Sequence, residues 1–190
     1  MRRLVLGLLL VAAACGSAAP SPRFTQLADD PVKHGKRVAD VLGCTGCHGK
    51  DLTGNDWSEP GFIIQHSANL TVTAAQTSDA ALRKMIVSGR GTGGRELWGM
   101  PSHLFTRLAD EDMDAIIAYL GSVPARGTQW PAPVMLEGAR KEIAAGVFRS
   151  SASEVRELGD RMPPDAGAGH ELARYIARAS CAECHGMDLR

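Results

Sequence analysis

Aromatic side chains are scarce in this 190-residue chain, at 5% of its residues. A conventional core built from so few large rings would be thin, although the length leaves room for two or three small domains. Net charge is scarce as well: 21 basic residues balance 21 acidic ones. Taking away Arg2 and Arg3 leaves 19 basic against 21 acidic side chains, a net charge of −2. That balance gives no basis for nucleic-acid binding or for strong steering of a charged partner. The N-terminal apolar run, Leu4 to Ala14, spans 11 residues and is too short to cross a bilayer. No window alternates convincingly as a β-strand. There are five cysteines, and none is left over for a structural disulfide. Four form two close pairs, and the fifth, Cys15, ends the N-terminal apolar run.

What is present is one pattern that occurs twice: Cys44-Thr45-Gly46-Cys47-His48 and Cys181-Ala182-Glu183-Cys184-His185. A shuffled chain of this composition would hold about 0.003 such motifs. Cys-x-x-Cys-His is the attachment signature of a c-type haem. Its spacing follows from the chemistry. On a helical turn, positions i and i+3 share a face, so both sulfurs reach the two vinyl groups on one porphyrin edge. The histidine that follows comes under the ring, where its imidazole can take iron as the proximal ligand. Two rival readings fit less well. A thioredoxin-like pair needs a βαβ setting and no histidine after it. A four-cysteine zinc site needs its two pairs close together, and these lie far apart in the chain.

The N-terminus reads as an export signal over residues 1–14, with Arg2 and Arg3 as the charged start. The stretch Ala12-Ala13-Ala14-Cys15-Gly16-Ser17 resembles a bacterial lipobox, with Cys15 as the lipidated residue and Ala12 where leucine is usual. A free exposed cysteine is a liability in an oxidising compartment, which favours the lipoprotein over a plain secretory signal. Residues 15–30 then form a tether, flexible from Gly16 to Pro22.

Three helices are expected. Asp29-Asp30-Pro31 marks a start, an acidic cap followed by proline, for a helix that runs toward Cys44. A second should begin near Ser78-Asp79 and end at Gly89, with Leu82, Met85 and Ile86 on one face. A third should run from about Asp110 to Leu120 and stop at Gly121, with Met113, Ile116, Ile117 and Leu120 at helical spacing. The glycine-rich stretch from Gly89 to Gly99 is loop. Loops of this length are unusual in a small domain unless something other than peptide organises them, and haem would do so.

On the residues 44–49, the Gly-Arg-Gly and Gly-Met-Pro elements at 89–101, and the run Asp110 to Leu120, the stretch 31–124 resembles a class I cytochrome c domain. The fold class implied is all-α: about three main helices around a covalent haem, with long loops. In that family a methionine some distance after the attachment motif, commonly followed by proline, is the sixth ligand. Met100-Pro101, 52 residues after His48, matches it. The resemblance thus implies covalent haem c on Cys44 and Cys47, with His48 and Met100 on iron. Met85 and Met113 are weaker rivals because they belong to apolar helix faces, and His66 and His103 are the alternatives for a bis-histidine haem. Tyr119 is expected between the first and third helices near Gly35. Arg90, Arg95 and Trp98 are candidates for the haem propionates. The family usually caps its last helix with serine or threonine; here Ala109 stands before Asp110, and Asp110 is expected to cap one residue late.

Residues 125–168, punctuated by Pro131, Pro133, Pro163 and Pro164, resemble the linker of multi-domain dehydrogenase-associated cytochromes, with Leu136 to Phe148 as a short helix and Met162-Pro163 as linker. Then the pattern restarts. His170 to Cys181 echoes His34 to Cys44, and His185-Gly-Met-Asp-Leu189 aligns with His48-Gly-Lys-Asp-Leu52. Residues 169–190 are therefore expected to be the start of a second cytochrome c domain, cut short by truncation or because the chain is a fragment. Cys181 and Cys184 would hold its haem and His185 its iron, with no distal ligand and no core of its own, so the site is expected to be unfilled or open. Met187 stands too close to His185 to serve from the other face.

The resemblance implies an exported, lipid-anchored electron carrier, not an enzyme, passing electrons between a periplasmic dehydrogenase (alcohol, aldehyde or sugar-acid) and the respiratory chain. The alternative is a haem enzyme or sensor that uses an open second haem to bind peroxide or a gas.

Overall fold

The computed structural model describes residues 21–27 and 29–190. The expected signal segment and Cys15 lie outside the described residues. Helix α1 (Pro31–Val41) starts as its sequence dictates: the Asp30 carboxylate accepts from the Val32 amide at 2.9 Å, and Pro31 occupies the first turn. The chain turns at Gly43, whose φ of 79° suits glycine, into α2 (Cys44–His48). Next come strand β1 (Ile63–Ile64), α3 (Leu70–Gln76), α4 (Asp79–Ser88), α5 (Ser102–Phe105) and α6 (Asp110–Ser122). Strand β2 (Val134–Met135), α7 (Glu137–Ala144), α8 (Ser151–Leu158), α9 (Glu171–Ile176) and α10 (Ala182–His185) complete the order, with a π-type turn over Ala177–Cys181 between the last two.

The frame is the crossing of α1 over α6. Gly35 makes the contact possible: a Cβ there would sit 1.8 Å from the Ala115 carbonyl oxygen. Val38, Ala39, Met113, Ile116, Ile117, Tyr119 and Leu120 are buried around this crossing. Helix α4 is capped by the Ser78 hydroxyl, which accepts from the Ala81 amide, and it ends at Gly89 in the left-handed region with φ 65°. The sequence had placed both ends correctly.

Three expectations need correction at the level of elements. Helix α6 does not stop at Gly121 but continues to Ser122; one glycine inside a helix costs only about 1 kcal/mol, less than the packing around it supplies. Asp110 does not cap that helix. Ala109 takes the cap position with no side-chain hydrogen bond, and Asp110, Glu111 and Asp112 fill the first turn, where the helix dipole favours negative charge. A strand pair also exists: Ile63 faces Met135 and Ile64 faces Val134 in an antiparallel register too short to show as alternation.

The stretch 125–168 is no free linker. Buried Asn69 caps α3 with its carbonyl oxygen while its Nδ2 donates to the carbonyls of Arg126, at 2.7 Å, and Thr128. Trp130 stacks on His66, and Phe148 packs on Phe62 and Trp98. The Ser151 amide donates to the Leu97 carbonyl, next to the tight contact of Gly89 with Ser151 and Ala152. Prolines punctuate this stretch, but its carbonyls and side chains still bind the long loops.

Residues 169–190 also lie against the first unit. Tyr175, Ala179, Ala182 and Met187 join the same buried cluster as α1 and α6. The expectation that this segment has no core to offset its ordering is therefore corrected: it uses its neighbour's. Tyr175 meets Phe24 edge-on with ring centroids 5.6 Å apart.

Candidate haem site

Helix α2 brings Cys44, Cys47 and His48 onto one short turn, between Gly43 and Gly49, both at positive φ. Its last carbonyls are satisfied from outside the helix. The Cys47 carbonyl accepts from Ser67 Oγ at 2.8 Å and Trp57 Nε1 at 3.1 Å, and Asn55 Nδ2 donates to it and to Gly46. His48 donates its Nδ1 proton to the Ala68 carbonyl at 2.8 Å. That bond fixes the tautomer and the ring, leaving the Nε2 lone pair for another acceptor of electron density. Burial holds the imidazole below its ordinary pKa, against the pull of the Ala68 carbonyl. Asn55, Trp57, Ser67 and Ala68 were not singled out from the sequence. They act on backbone groups and through one backbone carbonyl, and no residue pattern announces such contacts.

Cys44 and His48 face a crevice lined also by Leu42, Leu70, Leu82, Ile86, Met100, Phe105, Leu108, Ile116 and Leu120. Every other wall residue is apolar except that Met100 adds a thioether. Burial, and secondarily the neighbouring Cys47, push the Cys44 thiol up to about 12. Burial raises Cys47 too. Redox-active pairs commonly carry the opposite, a depressed thiol.

The other sequence candidates lie elsewhere. Met113 is buried in the α1–α6 core, and neither it nor Met85 lines the crevice. His66 stacks on Trp130 at 4.2 Å, and His103 points to Glu154 at 3.5 Å. Arg90 is engaged by Glu96 and the Gly94 carbonyl, Trp98 packs on Phe148, and Arg95 is exposed.

The second motif repeats the first in its backbone. Leu52 and Leu189 are the two described non-glycine residues at positive φ, 63° and 54°. Each donates its amide back to the glycine after the motif, Gly49 and Gly186, at 2.9 and 3.2 Å. The surroundings differ. Cys181, Cys184 and His185 are all exposed, while Met187 is buried beneath them.

Two thiols on one turn, an oriented imidazole and a thioether around an apolar slot form a donor set that fits a covalently attached haem, whose iron supplies one-electron chemistry when it is bound. The class defined is a small all-α domain with a crevice that fits a c-type haem. Residues 32–124, just under half of the chain, match the family model described as Cytochrome c, so this unit is similar to a cytochrome c domain. No curated protein matches the chain.

Proposed function

We propose that the protein is an exported, lipid-anchored electron carrier of the dehydrogenase-associated kind, with haem c on Cys44 and Cys47 and with His48 and Met100 on its iron. The observation that carries the ligand assignment is that Met100, alone among the methionines and histidines weighed against it, lines the same apolar crevice as Cys44 and His48. A thioether favours ferrous iron, so His/Met ligation raises the potential. The protein's own work is then to exclude water, hold the imidazole through Ala68 and keep the Met100 segment in place. Cys15 carries the lipid and keeps the carrier on the periplasmic side of a membrane. Donor and acceptor are a periplasmic dehydrogenase and a respiratory-chain redox protein. The second motif, Cys181, Cys184 and His185, is a further haem-attachment site whose exposed setting leaves it without an enclosing pocket.

Met100→Ala should abolish the sulfur-to-ferric-iron charge-transfer band and lower the midpoint potential, while the haem remains attached after acid–acetone extraction. Retention of the band in that variant would assign the thioether to another methionine, and loss of all haem on extraction would sink covalent attachment.

A further inference from the structure

Arg178 is 1% exposed, yet no carboxylate is hydrogen-bonded to it. Its guanidinium donates to backbone carbonyls instead: to Leu104, to His103 at 2.7 Å, to Gly159 at 2.8 Å and to Arg161 at 3.0 Å. It also donates to the Thr106 hydroxyl at 2.9 Å. Desolvating a cation this fully is costly unless its donors are all used. The planar fork of arginine meets that need where lysine would not. Burial and the nearby Arg107 pull its pKa down to about 10, so it stays charged at neutral pH. Asp160, an acidic group whose charge acts on it, is exposed and bound to Arg107.

The acceptors are informative. His103, Leu104 and Thr106 belong to the turn that follows Met100-Pro101, and the Ser102 amide donates to the Met100 carbonyl at 2.8 Å. Helix α5 has only four residues, so its last carbonyls find their partners outside an i→i+4 ladder. Gly159 and Arg161 close the end of α8. One cation thus gathers the C-terminal carbonyls of two segments, where positive charge is favoured. Phe105 and Leu108, on the clamped turn, are crevice walls.

We propose that Arg178, supplied by the π-type turn leading into the second Cys-x-x-Cys-His motif, is a positioning residue that locks the Met100 segment over the first haem. This rests on the Met100 assignment above. The lock acts in two ways. It raises the free energy needed to swing Met100 away from iron, and it places a fixed positive charge behind the distal side, which favours the reduced, less positive iron. The second motif is therefore mechanically joined to the first site whether or not it carries haem itself.

The test uses full-length holoprotein and imidazole as a competing ligand, with loss of the thioether charge-transfer band as the readout. That band reports the first haem alone, so a second haem that also takes imidazole does not interfere. Arg178→Gln should bind imidazole about tenfold more tightly at the first haem, as expected for losing a set of charge-assisted hydrogen bonds. Its midpoint potential should fall. Arg178→Lys should restore the potential but only part of the resistance to imidazole, because one ammonium cannot serve all the carbonyls. If Arg178→Gln does not fold, Thr106→Val, which removes one acceptor and keeps the charge, should show a smaller gain in imidazole affinity at unchanged potential. Wild-type imidazole affinity in folded Arg178→Gln, or in Thr106→Val where the glutamine variant fails to fold, overturns the lock. Absence of the band from the wild-type protein overturns the Met100 assignment and the lock with it.

Discussion

Asp112 has no exposed surface and accepts from three parts of the chain. The Phe24 amide reaches it at 2.9 Å, the Tyr175 hydroxyl at 2.7 Å, and His34 Nε2 lies at 3.3 Å. The same hydroxyl accepts from the Ala109 amide. Burial, and then the Asp112 carboxylate, raise the Tyr175 phenol above its ordinary value of 10.0. In the unfolded chain that phenol ionises near pH 10, while the folded chain keeps the proton. The contribution is thus fully present below about pH 10 and is lost as pH rises beyond it. Urea midpoints measured across alkaline pH should fall more steeply for wild type than for Tyr175→Phe, which should start less stable below pH 10. Equal slopes would show that the hydroxyl is not held as described. The acidic run at 110–112 was legible as a helix start. That its third member is buried and shared by three segments was not, because burial of a carboxylate depends on donors far away in the chain.

Among the elements, the helix ends were the most legible features. Asp30-Pro31, Ser78 and Gly89 work locally, each through contacts within a few residues, so sequence suffices to place them. The failures were also informative. Gly121 as a stop and Asp110 as a cap are weak local signals overridden by the apolar face of α6. Gly35 is the strongest case for an element decided by tertiary contact, since its need for hydrogen in place of a side chain comes from Ala115 on another helix. Gly35→Ala should force α1 and α6 apart and cost about 1–3 kcal/mol or more. For a chain of this size that is a fall in Tm of roughly 2–4 °C for each kcal/mol. Thermal melts of the holoprotein check it, and an unchanged Tm would mean that the helices cross elsewhere.

At the scale of the whole molecule, the segments on either side of residues 32–124 are fastened to that unit. Phe24 is buried on one side, and Tyr175, Arg178 and Met187 on the other. Eight residues lie between Cys15 and Phe24. Fully extended, the nine steps reach roughly 30 Å, so a lipid on Cys15 would keep the domain close to the membrane surface. Several acyl chains are needed for stable anchoring, and a single one holds only weakly. Cys15→Ser should move the protein from the membrane to the soluble periplasmic fraction. Wild-type protein found free in that fraction would remove the anchor from the proposal.

The repeated Cys-x-x-Cys-His pattern, the methionine expected to serve it and the two halves of the repeat were legible in the sequence alone, because covalent and coordination chemistry demand particular residue types at fixed spacing. Even the unusual backbone of the repeat follows its sequence, with Leu52 and Leu189 twisted alike. Tertiary structure decided which of the later segments are walls. The proline-rich stretch and the second motif carry little apolar periodicity, so nothing local reveals that they dock. Their binding rests on carbonyls gathered by Asn69 and Arg178, and a carbonyl is present at every residue. Only the folded chain selects which ones a buried amide or guanidinium will meet.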